Sequence, residues 1–150
     1  MPFDSGSFDL VWTEHVQMNI SDKHAFYREI GRVIRPNGLL LFHDIFRCDG
    51  GALHYPVPWA EDASISFLAA PGEVRQILEA VGFAIRDWED KSQPSLDWFV
   101  AAIEKLKASG PPPLGLHLLM GHTAKTKFEN NIRNLRESRF VVYQALAEKL

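Results

Sequence analysis

Hydrophobic positions recur along this chain at two alternating spacings. Phe8, Leu10, Val11 and Trp12 form an apolar run broken only by Asp9, a pattern that suits a strand covered on both faces, as in parallel sheets. Pro2 to Ser7, with Asp4, Ser5 and Gly6, supply turn chemistry ahead of it. The spacing then changes to three and four residues through Phe26, Ile30, Val33 and Ile34, with Ser21 or Asp22 where an N-cap is expected. Arg35-Pro36-Asn37-Gly38 should end that helix, because proline disfavours helical backbone in the residue before it and Asn-Gly accepts left-handed geometry. Leu39 to Ile45 follows as a second strand. Strand, helix, tight turn and strand make a βαβ unit, expected to be right-handed with parallel strands.

From Phe46 to Phe67 no period continues: Arg47, Cys48, Gly50-Gly51 and Pro56-Val57-Pro58-Trp59 interrupt every pattern. A loop this long in a compact domain is usually functional or mobile. Pro71 then opens a helix striped by Val74, Ile77, Leu78 and Val81, with proline in the first turn where its missing N–H does no harm. Gly82 caps it, and Phe83 to Trp88 is a third strand. Ser95 to Ala108 is amphipathic through Leu96, Phe99, Ile103 and Leu106. Ser109-Gly110-Pro111-Pro112-Pro113 separates it from Leu114 to Gly121, from a helix between Thr123 and about Arg136, and from a terminal strand at Arg139 to Ala147. The chain shows no internal repeat and no clean domain boundary.

Composition narrows the function classes. With 150 residues, 46% hydrophobic and 23% charged, the chain is long enough for one domain with a real core. A formal net charge of −3 gives no general attraction to nucleic acid or anionic lipid. Lys125, Lys127, Arg133, Arg136 and Arg139 concentrate positive charge near the C-terminus, where a solvated helix face is the default and a nucleic-acid adaptor a distant alternative. The single cysteine, Cys48, excludes an intrachain disulfide and suits a reducing, cytoplasmic compartment. Met1-Pro2-Phe3-Asp4 is no secretory start. The longest apolar runs, Leu39 to Phe42 and Leu118 to Met120, fall far short of the ~20 residues a membrane span needs. The six histidines contain no H-x-x-x-H pair and join no Cys/His cluster, so no metal site is expected.

Candidate chemistry falls at strand ends. In open α/β sheets ligands collect at the carboxyl edge, which draws attention to Thr13, Glu14 and His15, with Asn19 one turn later. His43 and Asp44 end the second strand, where polar groups are costly unless they face a cavity or a partner. Arg47, Tyr55 and Trp59 lie in the irregular loop at the same edge. Aromatic faces attract a cationic nitrogen and a guanidinium grips a carboxylate, a combination suited to a small amino acid or amine. Burial that anchors the loop explains Tyr55 and Trp59 equally well. His117, Met120 and His122 belong to the later insert, where packing and surface roles are commoner. Neither a G-x-G-x-x-G turn nor a P-loop spacing occurs.

Four local sequences nonetheless occur in a telling order: Pro2-Phe3-Asp4-Ser5-Gly6-Ser7-Phe8-Asp9-Leu10-Val11-Trp12, Arg32-Val33-Ile34-Arg35-Pro36-Asn37-Gly38-Leu39-Leu40-Leu41, Leu78-Glu79-Ala80-Val81-Gly82-Phe83 and Arg139-Phe140-Val141-Val142-Tyr143-Gln144-Ala145. Together they resemble the second half of a class I S-adenosylmethionine-dependent methyltransferase. His15-Val16-Gln17-Met18-Asn19-Ile20 and the large insert before the last strand are similar to the sarcosine and dimethylglycine N-methyltransferases.

The resemblance implies an α/β fold: a partial Rossmann-like sheet of the family's fourth to seventh strands, the last antiparallel, flanked by helices and with a helical insert before the last strand. It implies one domain without the first three strands, which in the family carry the Gly-rich loop and the ribose carboxylate, and hence either a fragment of a longer protein, the favoured explanation, or a degenerate half. The cofactor implied is S-adenosylmethionine, and the reaction is methyl transfer to a small molecule, an amine by the finer likeness. Thr13, Glu14, His15 and Asn19 would bind cofactor; His43, Asp44, Arg47, Tyr55, Trp59 and His117 would bind substrate; His43 or His15 would act as base. The alternative is a non-catalytic module that homodimerises through an exposed strand edge.

Overall fold

A computed structural model describes residues 1–110 and 113–150. Pro111 and Pro112, in the expected Pro-rich break, lie outside the described residues. The chain divides into two compact units: Met1–Arg47, Phe67–Asp90 and Val142–Leu150 form the first, and Cys48–Ser66 and Lys91–Val141 the second.

The first unit is built on β1 (Phe8–Glu14), α1 (Lys23–Val33), β2 (Ile34–Arg47), α2 (Pro71–Ala80), β3 (Phe83–Asp90) and most of β4 (Phe140–Lys149). Its described strands form one sheet in the order β1-β2-β4-β3. β1 and β2 are parallel, as the βαβ pattern requires, and the last strand in sequence lies between β2 and β3, antiparallel to β3. α1 begins at Asp22, whose side chain accepts from the Ala25 amide at 2.8 Å. Its buried face, with Tyr27, Ile30 and Val33, packs on β2 and α2.

The strand Phe8–Trp12 departs from expectation. It is not covered on both faces: Leu10 is 49% and Trp12 64% exposed. β1 is the outermost strand of the described sheet, with β2 its one hydrogen-bonded neighbour there, and an edge strand leaves side chains open that an inner strand would bury.

The turn Arg35–Gly38 also differs. It does not separate helix from strand, because β2 already begins at Ile34, expected in the helical stripe but extended at φ −78°, ψ 134°. Pairing slips between Phe8↔Ile34 and Leu10↔Leu39, so Arg35-Pro36-Asn37-Gly38 become a bulge within β2. Asn37 takes the left-handed backbone that Asn-Gly permits, at φ +60°. A Cβ on Gly38 would lie 2.6 Å from Ile34 Cγ2 and 2.9 Å from Asp9 O, so close strand approach requires glycine there.

Aromatic rings fill one side of this sheet. Trp88 of β3 meets Phe42 and Phe46 of β2 at 5.7 and 5.8 Å and Tyr143 of β4 at 5.5 Å, and the Arg75 guanidinium lies over it at 5.3 Å.

The second unit carries α3 (Ser92–Ser109), the short α4 (Leu116–Met120), α5 (Ala124–Arg136) and the irregular segment 48–66. That segment follows α5 through side chains. Asn134, fully buried, receives the His54 amide at 2.8 Å and donates to the His54 carbonyl at 3.0 Å. Asn130 donates to the Pro56 carbonyl at 3.0 Å, and buried Lys127 pairs with Glu61. Phe99 of α3 packs on Phe128 of α5 at 5.7 Å between centroids.

Candidate functional site

In the first unit β1 ends beside Phe42 and His43 of β2, which runs on to Arg47, past the expected end at Ile45. Their register pairs Thr13 with Phe42 and Glu14 with His43. One residue further, the chain turns left-handed at His15, φ +51°, and the His15 amide donates to the His43 carbonyl at 2.9 Å. The two imidazoles meet edge to face with centroids 5.2 Å apart and an angle of 88°. The structure thus joins two histidines 28 positions apart in sequence at the edge where both were expected.

The His15 ring remains partly open to water, yet its environment favours the neutral form. Withdrawal from solvent lowers its pKa below the ordinary 6.5, the neighbouring His43 lowers it further, and Glu14 opposes both. A neutral imidazole near neutral pH can accept a proton. Glu14 and Asn19 are exposed, Thr13 and His43 half-buried, and the Asn19 amide donates to the Val16 carbonyl at 3.0 Å.

Asp44 is buried, 1% exposed, with both oxygens engaged by backbone. Oδ2 accepts from the Val16 and Gln17 amides at 3.2 and 3.1 Å, and Oδ1 from the Ile45 amide at 3.0 Å. Burial raises its pKa to about 6, while those amides and the charge of Lys23 hold it down. Arg47 is exposed at the end of β2, where its amide donates to the Ala69 carbonyl at 2.9 Å.

The remaining candidates belong to the second unit. Tyr55 and Trp59 are half-buried in segment 48–66. The Trp59 indole N–H donates to Ser66 Oγ at 2.9 Å, and its ring packs edge-on against Phe140 at 5.6 Å. These contacts anchor the loop. His117 is half-buried in α4. Of the basic residues, Lys127 pairs with Glu61, while Arg133 and Arg139 both grip Glu137, at 2.8 and 2.5 Å.

Sequence reasoning passed over Gln17, Lys23 and Tyr27, all buried. Lys23 Nζ donates to the carbonyls of Gln17 at 2.5 Å, Phe67 at 2.6 Å and Ile20. Gln17 Nε2 donates to the Ile45 carbonyl at 3.3 Å, and the Tyr27 hydroxyl reaches Gln17 Oε1 at 3.5 Å. A lysine in the first turn of an amphipathic helix carries no local signal of burial. Among the described residues no three His, Cys, Asp or Glu side chains are grouped to hold a metal ion, and no helix is long and apolar enough to cross a membrane.

Comparison with known proteins agrees with this architecture. The family described as "Methyltransferase domain" matches residues 1–42. Dimethylglycine N-methyltransferase of Parasynechococcus marenigrum is 26% identical over 93 residues, which are 62% of this chain and 33% of that protein. The chain therefore spans about a third of that relative's length. The crystal structure of a Galdieria sulphuraria protein described as a sarcosine dimethylglycine methyltransferase superposes with a TM-score of 0.77 at 17% identity, covering 99% of this chain and 56% of the other. Phosphoethanolamine N-methyltransferase 2 of Haemonchus contortus, solved with S-adenosyl-L-methionine, gives 0.76 at 14% identity over 98% of this chain and 34% of the other. At such identities the two structural likenesses speak to the fold.

The match of residues 1–42 to the methyltransferase domain and the likeness of the whole fold to these solved structures make the chain similar to class I S-adenosylmethionine-dependent methyltransferases. Its sequence similarity within that class extends to the sarcosine and dimethylglycine N-methyltransferases.

Proposed function

We propose that the complete protein moves a methyl group from S-adenosylmethionine to a small amine of the sarcosine or dimethylglycine kind, and that this chain supplies the fourth-to-seventh-strand part of that methyltransferase domain, with the edge at which the acceptor is deprotonated. The observation that carries this reading is the His15–His43 pair, formed where β1 ends beside its parallel neighbour β2.

The residues there fit one side of the cofactor. Glu14, His15 and Asn19 are exposed, and Thr13, paired with Phe42 in the β1 ladder, is half-buried. Thr13, Glu14, His15 and Asn19 would hold it. When bound, it supplies an activated methyl group on a sulfonium, so alignment and exclusion of water do much of the catalysis. An amine attacks only through its free lone pair. His15, held neutral by its surroundings, accepts the proton, and His43 orients it or takes the proton in turn. Arg47 would receive the acceptor's carboxylate. The one free cysteine, Cys48, supports a reducing, cytoplasmic compartment.

Titration calorimetry with S-adenosylmethionine and S-adenosylhomocysteine, followed by a methyl-release assay with sarcosine and dimethylglycine, tests this. Binding of the cofactor by the complete protein, with turnover lost in His15→Ala, is the expected result. A complete protein that binds no cofactor overturns it.

A second reading is favoured by the open edge of β1, where Leu10 and Trp12 are 49% and 64% exposed. Two copies of this chain would pair edge to edge through that strand. Light scattering at increasing concentration should then show a dimer that Trp12→Lys dissolves; a strictly monomeric chain removes the reading.

A further inference from the structure

Four buried polar side chains lie behind the His15–His43 edge: Asp44 at 1% exposure, Gln17 at 0%, Lys23 at 6% and Tyr27 at 1%. Strand alternation puts Asp44 on the opposite face of β2 from His43, the face of Phe42 and Phe46. From there its carboxylate reaches past the strand end to the amides of Val16 and Gln17, the two residues after His15. Lys23 holds the same turn by its carbonyls, through Gln17 and Ile20, and ties it to Phe67. Gln17 then joins the turn to the Ile45 carbonyl. Both polar sides of one short stretch are therefore clamped, the donors by an anion and the acceptors by a cation.

The clamped stretch begins at a residue that resists its own conformation. A histidine at φ +51° is disfavoured by about 1 kcal/mol or more and persists where surrounding structure over-determines it. Without that clamp, His15 would relax toward negative φ, and its ring would leave the position edge-on to His43.

We propose that Asp44 is a positioning residue: by accepting the Val16 and Gln17 amides, with Lys23 holding the Gln17 and Ile20 carbonyls, it fixes the left-handed turn that sets His15 against His43. The role builds on the proposed use of His15 and concerns its geometry. Asp44 touches no reactant in this scheme; its oxygens are already engaged by three amides. Lys23 of α1 bears directly on its charge, Tyr27 of α1 feels that charge, and Glu73 of α2 acts on Lys23; the titratable groups at the adjoining strand positions are His43, Glu14 and His15. Protonation of the carboxyl would remove an acceptor from the turn and loosen it, and burial brings that protonation close to the physiological range.

NMR on the wild-type chain tests this without cofactor or turnover. The Val16 and Gln17 amide shifts should follow the Asp44 carboxyl carbon through a single midpoint. In Asp44→Asn, the nuclear Overhauser contacts between the His15 and His43 rings should be lost and the His15 titration should move upward, with cooperative unfolding retained. Wild-type amides that ignore the Asp44 titration overturn the proposal. So does a folded Asp44→Asn with the wild-type ring contacts and His15 midpoint. If that variant fails to fold, the wild-type titration alone decides. Failure of the methyl-transfer reading would instead appear in cofactor binding, which these readouts do not use.

Discussion

The imidazole of His15 stands edge-on to that of His43, 5.2 Å between centroids, with the His15 amide bonded to the His43 carbonyl. Two rings so placed do not both take a proton easily. His43→Gln should therefore raise the His15 pKa, though not fully to the ordinary 6.5, because withdrawal from water is the larger cause of its depression. Titration of the His15 ring proton by NMR checks this, and a fall or an unchanged midpoint contradicts it. The sign for stability follows: a histidine whose folded pKa is lowered supports the fold above its unfolded value, and that support is lost as pH falls through the window between the two.

Asp44 works in the opposite sense. Its folded pKa of about 6 lies above the ordinary 3.8, so the folded state binds the proton more tightly. The associated stability is complete below the unfolded value and lost as pH rises through about 6. By the usual conversion the full swing is up to about 3 kcal/mol. The difference in urea unfolding free energy between wild type and Asp44→Asn should shrink as pH rises from about 4 to about 7. Glu29 and Glu137, both held near 2 by cationic partners, push the other way but cancel in that difference. A flat difference across the range would contradict the assignment.

The elements of this fold were legible in sequence because each carried its own local chemistry. Asp22 capped α1, Pro71 opened α2, Gly82 at φ +91° closed it, and Asn37 took the left-handed turn that Asn-Gly announced. The bulge was not legible as part of β2, since only pairing with β1 makes Arg35–Gly38 a strand irregularity. The exposure of Trp12 could not be read from the apolar run itself, which does not say how many neighbours the strand has; only the resemblance, with its three missing strands, pointed to an open edge there. At the site, His15 and His43 could be singled out because the apolar runs Phe8–Trp12 and Leu39–Ile45 placed both near strand ends, although β2 in fact continues to Arg47. Lys23 could not, because its burial depends on the Ile20 and Phe67 carbonyls, contributed from outside α1.

Lys23 gives a test of the clamp as a source of stability. Lys23→Met keeps the aliphatic stem and removes three charge-assisted hydrogen bonds. Burial lowers the pKa of this ammonium, so part of its hydrogen-bond gain is offset by desolvation. The expected net loss is about 3 kcal/mol in urea unfolding. The Asp44 pKa should also rise, because the Lys23 charge is one of the influences holding it down. A variant as stable as wild type with Asp44 unmoved would show that the ammonium and the carboxylate do not act together.

Gly38 allows the bulge to be tested apart from the site. Gly38→Ala would place a methyl group within 2.6 Å of Ile34 Cγ2 and 2.9 Å of both Arg35 O and Asp9 O. Two of those neighbours are backbone oxygens of paired strands, so relief requires β1 and β2 to part at the point where the register slips. The expected cost is roughly 1–3 kcal/mol, as for other overpacking substitutions. Gly72→Ala is the control: nothing lies within 4 Å of its added Cβ, and the position is in the first turn of α2, where alanine is at least as favourable as glycine. Thermal unfolding of the two variants should therefore separate clearly, with Gly38→Ala melting well below wild type and Gly72→Ala at or slightly above it. Equal melting temperatures would mean that the strand approach at Asp9 is looser than the 2.9 Å spacing requires.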